Sequence, residues 1–380
     1  MSDTPFGISL RFALFYGALF FVLGVLLPFW PIWLESRGLS AVDIGIVLAV
    51  GPWLRVLVDP IITRTADHAG AGRRMLILAA AVSLVAFGGF VTVSSFWPIL
   101  LITLVFAPAY HALIPLGDSQ AMTAVERHGL DYGRLRLWGS ATFIVGTLGV
   151  GALLTGRDPD LILVVVGAGL VVVLVTTFAL REQNEARGHA HWSTVLAFVR
   201  DPHFLAFVLA ASAVQASHAV LNGFSGIHWK AAGYSELVIG LLWGGSVLVE
   251  IILFAFSGAV IARFGAPRLL VLGACAALFR WLLLAQTPTL LGLTTAQLLH
   301  ALTFGATYLA TMHFIASHAP DGLKATAQGA YASISGIVMG LSLIAAGELY
   351  ESLAGDAFYG MAGLSAVALV IALAVLRRSP

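Results

Sequence analysis

The chain has 380 residues, of which 59% are apolar and only 10% charged, where a soluble globular domain carries about 25% charge. Too few charges are present to build a water-exposed surface, so a soluble enzyme or binding module is excluded and lipid is the solvent for most of the molecule. A formal net charge of +1 gives no reason to expect a nucleic acid as partner, and Cys275, the single cysteine, excludes an intrachain disulfide.

Runs of about 20 apolar residues, each long enough to cross a ~30 Å hydrocarbon core as a helix, recur along the whole chain. They predict helices over 8–34, 41–62, 75–94, 98–119, 135–155 and 160–180, then over 204–228, 237–262, 269–287, 290–316, 328–350 and 357–376. The first run is too long for a signal-peptide core and ends in Glu35-Ser36-Arg37, without a small-residue cleavage site, so it is read as a retained helix. The expected fold is therefore an all-α integral membrane protein of twelve transmembrane helices. The longest polar stretch, 181–203, contains R-E-Q-N-E-A-R-G-H-A-H and divides the chain into two six-helix bundles, 1–180 and 204–380.

Lys and Arg collect in loops on the cytoplasmic side. With the N-terminus placed there, alternate loops hold nearly all of them, and the far side keeps only Arg37, Arg157 and Lys230. Both termini and the linker are expected in the cytoplasm, with the chain multi-pass in a bacterial-type inner membrane. Laying Phe29 on Phe224 without a gap brings Gly38, Ser40, Ile44 and Gly45 onto Gly233, Ser235, Ile239 and Gly240, and Gly70 and Arg73 onto Gly265 and Arg268. Six helices restore the original orientation, so the halves are a parallel repeat, the pattern of alternating-access transporters that bind cargo near the midplane between repeats.

Between the second and third spans lies A-D-H-A-G-A-G-R-R, Ala66 to Arg74. It resembles the cytoplasmic loop signature of the major facilitator superfamily, in which an acid, a glycine turn and arginines latch neighbouring helix ends. Here His68 takes the usual basic position, and the second-half copy has Ala262 in place of the acid. The resemblance makes Asp67, Gly70, Arg73 and Arg74 a candidate conformational latch. A closer resemblance covers nearly the whole chain. L-P-F-W-P-I-W-L-E-S-R-G-L-S (Leu27 to Ser40), L-I-P-L-G-D (Leu113 to Asp118), L-D-Y-G-R-L-R-L-W-G-S (Leu130 to Ser140) and G-F-S-G-I-H-W-K-A-A-G-Y-S (Gly223 to Ser235) look like the 3-phenylpropionate permease family, which is similar in outline to lactose permease. It implies proton-coupled uptake of an arylpropionate-like carboxylate. Asp118, Asp131, Arg134 and Arg136, carried by these segments, join the latch candidates.

An ionisable group at midmembrane costs at least ~2.5 kcal/mol and faces a partner or a wet cavity. Arg55, Glu250 and Arg280 are such groups, with His300 beside them in type, and the repeat register lays Arg55 on Glu250. The permease family also has Arg and Glu at those two positions and matches Arg280 and His300 in its R-W and L-H pairs. Glu250 is expected either to carry the coupled proton, with His300 and Arg280, or to be a fixed partner of Arg280. Arg55 is expected to grip a cargo carboxylate through its planar fork, or to pair along its helix with Asp59. His300 reads equally as a relay or as a packing histidine.

Further candidates are polar or aromatic side chains within spans. Gln215, His218 and Asn222, at spacings of three and four, share one helix face that would be costly toward lipid. Tyr110, His111 and Tyr308 either line the cavity or make interhelical polar contacts. Tyr16, Trp30, Trp33 and Trp243 offer rings for an aromatic cargo, with the interfacial belt as the other reading of Trp30 and Trp33. The chain has no H-E-x-x-H, no G-x-S-x-G with a triad and no metal-ligating cluster. No enzyme activity, metal or cofactor is expected beyond protons as coupling ion, and the transporter is expected to act as a monomer on a small molecule. Sugar or nucleoside uptake and proton-antiport efflux are the competing transport readings.

Overall fold

In a bilayer every backbone N–H and C=O must find its partner inside its own segment. The computed structural model, which describes residues 4–69, 72–181, 200–286, 289–320 and 323–378 without the side chains of 59, 60, 62–69 and 325, is accordingly helical and has no strand among the described residues. Eleven apolar segments among these residues are long enough to cross a membrane. The last, Thr326–Arg378, is bent by a 3-10 turn at Ala354–Asp356 into two helices, so that counting it twice recovers the twelve expected spans. Leu14, Leu57, Val85, Leu101, Val164 and Val175 are among the large apolar side chains left exposed for lipid.

The first six spans are α1 (Pro5–Ser36), α2 (Ala41–Ala69), α3 (Gly72–Gly88), α4 (Phe96–His128), α5 (Tyr132–Leu154) and α6 (Leu161–Ala179). Thr4 caps α1 by accepting from the Gly7 N–H, Pro5 occupies the first turn, and Asp131 caps α5 by accepting from the Arg134 N–H. α4 runs well past the apolar run predicted to end near 119. Its polar last turns stay helical until Gly129, whose left-handed backbone (φ 62°) stops it.

Together these helices form one compact unit, which also takes residues 233–244. α1 and α5 pack backbone to backbone: a Cβ on Gly24 would collide with the Phe143 carbonyl, and one on Gly146 with that of Phe21. Residues 233–244, assigned above to the second bundle, sit on α5 in the same way, with Gly240 pressed on the Thr147 carbonyl and Gly151 on that of Glu236.

The remaining helices form the second unit. They are α7 (Pro202–Ala216), α8 (Ala219–Ala231), α9 (Glu236–Ala255, whose first turns belong to the first unit), α10 (Ser257–Gln286), α11 (Leu290–Leu298), α12 (Thr307–His318), α13 (Lys324–Leu353) and α14 (Ala357–Arg378). Its core gathers Phe204, Phe207, Phe314, Ile315 and Tyr331, with the rings of Phe207 and Phe314 stacked 3.9 Å apart.

Three spans predicted as continuous are interrupted. At Ser217–His218 the seventh breaks, because Ser217 Oγ donates to the Val214 carbonyl and His218 Nδ1 approaches those of Val214 and Gln215 at 3.1 Å each, taking acceptors that helix continuation would use. In the tenth, a turn of π-helix at Ala301–Ala306 lies between α11 and α12. The eighth ends at Ala255, and α10 turns a corner at Gly265 (φ 70°, ψ 163°) just before Pro267, close to the break expected between spans eight and nine. Most of the linker, 182–199, lies outside the described residues.

Candidate functional site

Both interruptions at His218 and at the π-helical turn serve one buried cation. Arg280, on α10, is 0% exposed. Its Nη2 donates to Gln297 Oε1 (2.6 Å) and its Nη1 to Thr303 Oγ1 (2.8 Å), with His218 Nε2 at 3.2 Å and His300 Nδ1 at 3.4 Å. The guanidinium also lies over the Trp281 ring, 4.8 Å from its centroid. His300 reaches the other way, its Nε2 3.1 Å from Glu250 Oε2 on α9. An i→i+5 turn is a common way to re-aim side chains at a functional site. Here it lets His300 and Thr303 address Arg280 together.

The bonding fixes the tautomers. Arginine only donates, so His300 Nδ1 accepts from Arg280 and its Nε2–H donates to Glu250. His218 Nδ1 faces two carbonyls and must carry the proton, which leaves Nε2 to accept from Thr303 and Arg280. Both imidazoles are thus neutral. Arg280 is held by neutral acceptors alone, and the one carboxylate of the network stands a single imidazole away. A buried guanidinium without a counter-charge is expensive, and here the carboxylate of Glu250 is joined to it through His300.

Gln215 and Tyr308 flank this network. Gln215 Nε2 donates to the Phe304 carbonyl (3.3 Å), while Tyr308, half-exposed, stacks parallel to Phe304, which stacks in turn on His300. Asn222 is half-buried on α8, and the break at Ser217–His218 separates it from Gln215, so the single continuous helix face expected for Gln215, His218 and Asn222 is interrupted. Trp243, in the segment that joins the first unit, is buried.

In the first unit, Arg55 is exposed on α2, and His111 on α4 lies within electrostatic reach of it. Gly51 makes room for this imidazole: a Cβ there would stand 2.9 Å from His111 Nε2. Tyr110 is turned away into the fold, its hydroxyl donating to the Leu19 carbonyl (2.9 Å) and its ring stacked on Phe106. Trp30 and Trp33 are neither a belt nor a cargo platform. They stack on each other in a buried cluster with Phe87 and Phe90, and Trp33 Nε1 donates to Asp160, which also pairs with Arg37. Aromatic packing inside the helix bundle outcompetes the interface for these two rings.

The latch candidates separate. Arg73 ties α3 to the end of α6, donating to the carbonyls of Leu180 (2.6 Å) and Phe178 (2.9 Å), and Arg74 is exposed. The Asp67 side chain and Gly70 lie outside the described residues. Asp118 is no surface acid: Oδ1 accepts from the hydroxyls of Tyr16 (2.6 Å) and Tyr132 (3.0 Å). Arg136 lies over the rings of Phe20 (4.0 Å) and Tyr16 (5.2 Å), with Nη1 buried and lacking an acceptor among the described residues. Asp131 is spent as a helix cap, and Arg134 is exposed beside it.

The MFS_1 like family model matches residues 9–359. The chain belongs to that family. Among its relatives, the "Probable 3-phenylpropionic acid transporter" of Escherichia coli (strain K12) is 33% identical over 92% of this chain and 93% of its own length. The maltose permease of Geobacillus stearothermophilus is 26% identical over 85% and 82%. The solved nucleoside transporter NupG, in a point-mutant form, superposes with a TM-score of 0.87 at 16% identity, covering 97% of this chain and 99% of NupG. A bacterial homologue of the human lysosomal transporter Spinster gives 0.79 at 14% identity, covering 99% and 98%. The chain is therefore a multi-pass MFS transporter, built on the major facilitator fold, and not an enzyme.

In this MFS transporter the sequence reading placed Glu250, Arg280, His300 and His218 among the functional residues but missed Gln297 and Thr303. Their positions, three before and three after His300, carried the signal, since i±3 neighbours share a helix face. Tyr132 and Phe20 were missed as well. No spacing linked either to Asp118 or Arg136 in advance.

Proposed function

We propose that the chain imports a small aromatic carboxylate, arylpropionate-like, together with a proton. The observation that carries this reading is the line Glu250–His300–Arg280, a carboxylate and a guanidinium joined through one neutral imidazole. A proton bound by Glu250 forms a neutral acid, and the positive charge of Arg280 is then left without its counter-charge. An anionic cargo keeps the net charge of the loaded carrier, and Arg55, exposed on α2 of the first unit, is the candidate fork for its carboxylate. Empty carrier with ionised Glu250 and loaded carrier with neutral Glu250 plus anion have the same net charge. Neither must carry extra charge through the bilayer, where each is costly. The name of the 33% identical relative supports the choice of acid.

Both termini face the cytoplasm in this reading, on the strength of the Lys and Arg distribution, and the transporter works without a cofactor. A neutral cargo is the second reading, favoured by the names of the maltose and nucleoside transporters it resembles. Charge movement separates the two, because an anion with one proton moves no net charge whereas a neutral sugar with one proton moves one. The test is uptake of radiolabelled 3-phenylpropionate, maltose and uridine into proteoliposomes with an imposed pH gradient, with currents recorded in parallel. Uptake of the acid, driven by the gradient and without current, is the expected result. Gradient-driven maltose or uridine uptake with current would replace it.

A further inference from the structure

In the first unit α1 packs along both α5 and α6, while those two helices scarcely touch each other. The space between them is a trough of about 1160 Å³ with α1 as its floor. Small residues deepen it, with Ala13 and Gly17 on the floor and Ala168 and Gly169 on the α6 wall. Its lips are apolar and exposed: Leu14, Trp138, Val164 and Val172 each show between 49% and 66% of their surface. The lining side chains carry charge only at one end, at Asp131 and Arg134. Asp131 Oδ1 accepts from the Arg134 N–H, whereas the exposed Arg134 guanidinium has no hydrogen bond or ion pair among the described residues.

We propose that this trough binds one glycerophospholipid of the cytoplasmic leaflet, with an acyl chain along α1 and the phosphodiester on Arg134. The lining runs on α1 from Phe6 to Phe21, about 22 Å at 1.5 Å per residue, and one leaflet of hydrocarbon is about 15 Å deep, half of ~30 Å. A chain in the trough is therefore sheltered over the depth of its leaflet and contacted on three sides by packed side chains. Arg134 stands at the end that the Lys and Arg distribution assigns to the cytoplasm, where a guanidinium meets phosphate in its preferred two-point geometry. The charge sits where a headgroup lies and the uncharged lining where its tail lies. This inference concerns a site apart from Glu250, His300 and Arg280 and does not depend on the cargo.

Native mass spectrometry of the full chain, titrated with 1-palmitoyl-2-oleoyl phosphatidylglycerol or with the diacylglycerol of the same chains, tests it. The wild type is expected to retain one phosphatidylglycerol more tightly than any further copies, and to hold the diacylglycerol about five-fold more weakly, the effect of about one basic residue at a membrane surface. Arg134→Gln, at an exposed position, should erase that difference, and Ala168→Trp should remove the tight copy by filling the trough. If Ala168→Trp does not fold, the Arg134→Gln comparison decides alone. Equal retention of both lipids by the wild type, or Arg134→Gln retaining phosphatidylglycerol as the wild type does, overturns the proposal. So does displacement of the tight lipid by 3-phenylpropionate, which would make the trough a cargo site, or a dimer that seals it.

Discussion

Glu250 and Arg280 make no direct ion pair: the imidazole of His300 stands between them, 3.1 Å from the carboxylate and 3.4 Å from the guanidinium. One imidazole thus contacts both groups, its Nδ1 accepting from Arg280 and its Nε2–H donating to Glu250. A permanent Glu250–Arg280 bridge, one of the two readings open from the sequence, is not what the fold builds.

Glu250→Gln mimics the protonated acid. It should abolish accumulation driven by a pH gradient while sparing exchange of cargo across the membrane, measured as counterflow in proteoliposomes. A folded variant that still concentrates cargo against its gradient would remove Glu250 from the proton path.

Gln297→Leu keeps the volume but deprives Arg280 Nη2 of its 2.6 Å acceptor. Leaving a buried charged donor unsatisfied costs ~1–3 kcal/mol or more. The variant should unfold at a lower temperature in detergent, and an unchanged melting profile would mean that Arg280 finds another acceptor.

Arg55→Lys retains the charge and loses the planar fork. Binding of a carboxylate cargo should weaken by roughly 1–3 kcal/mol, read by isothermal titration, while a neutral cargo would be indifferent. Unaltered carboxylate binding in Arg55→Ala would move the grip to another cation.

Tyr110→Phe removes the hydroxyl that donates to Leu19. A packing role predicts a stability loss of ~0.5–1.5 kcal/mol with cargo affinity untouched. A loss of affinity at unchanged stability would instead put Tyr110 in the cargo site.

Gly24→Val should be the most damaging of these for folding, because its side chain would enter the Phe143 backbone at the α1–α5 crossing. Overpacking typically costs ~1–3 kcal/mol, and the neighbour here is main chain that has little freedom to yield. Normal expression and melting would show that α1 and α5 separate more easily than their packing suggests.

The spans, their number and the intramembrane charges were legible in the amino-acid order alone. Lipid enforces long apolar helices and makes every buried Arg or Glu conspicuous, so composition and spacing carry that information locally. Arg73, read from the sequence as part of a loop signature, donates to two carbonyls at the end of α6. What tertiary structure decided is partnership. Tyr110 went to a backbone carbonyl, Trp30 and Trp33 to a buried ring cluster, and Asp118 to two tyrosine hydroxyls, since in lipid a polar group takes whichever partner the neighbouring helix presents. The breaks at His218 and at Ala301–Ala306 were not legible, because each lies inside a segment long and apolar enough to read as one span. At both breaks stand side chains that reach Arg280, His218 at one and His300 and Thr303 at the other, and that meeting depends on where α10 places the guanidinium, which no local spacing encodes.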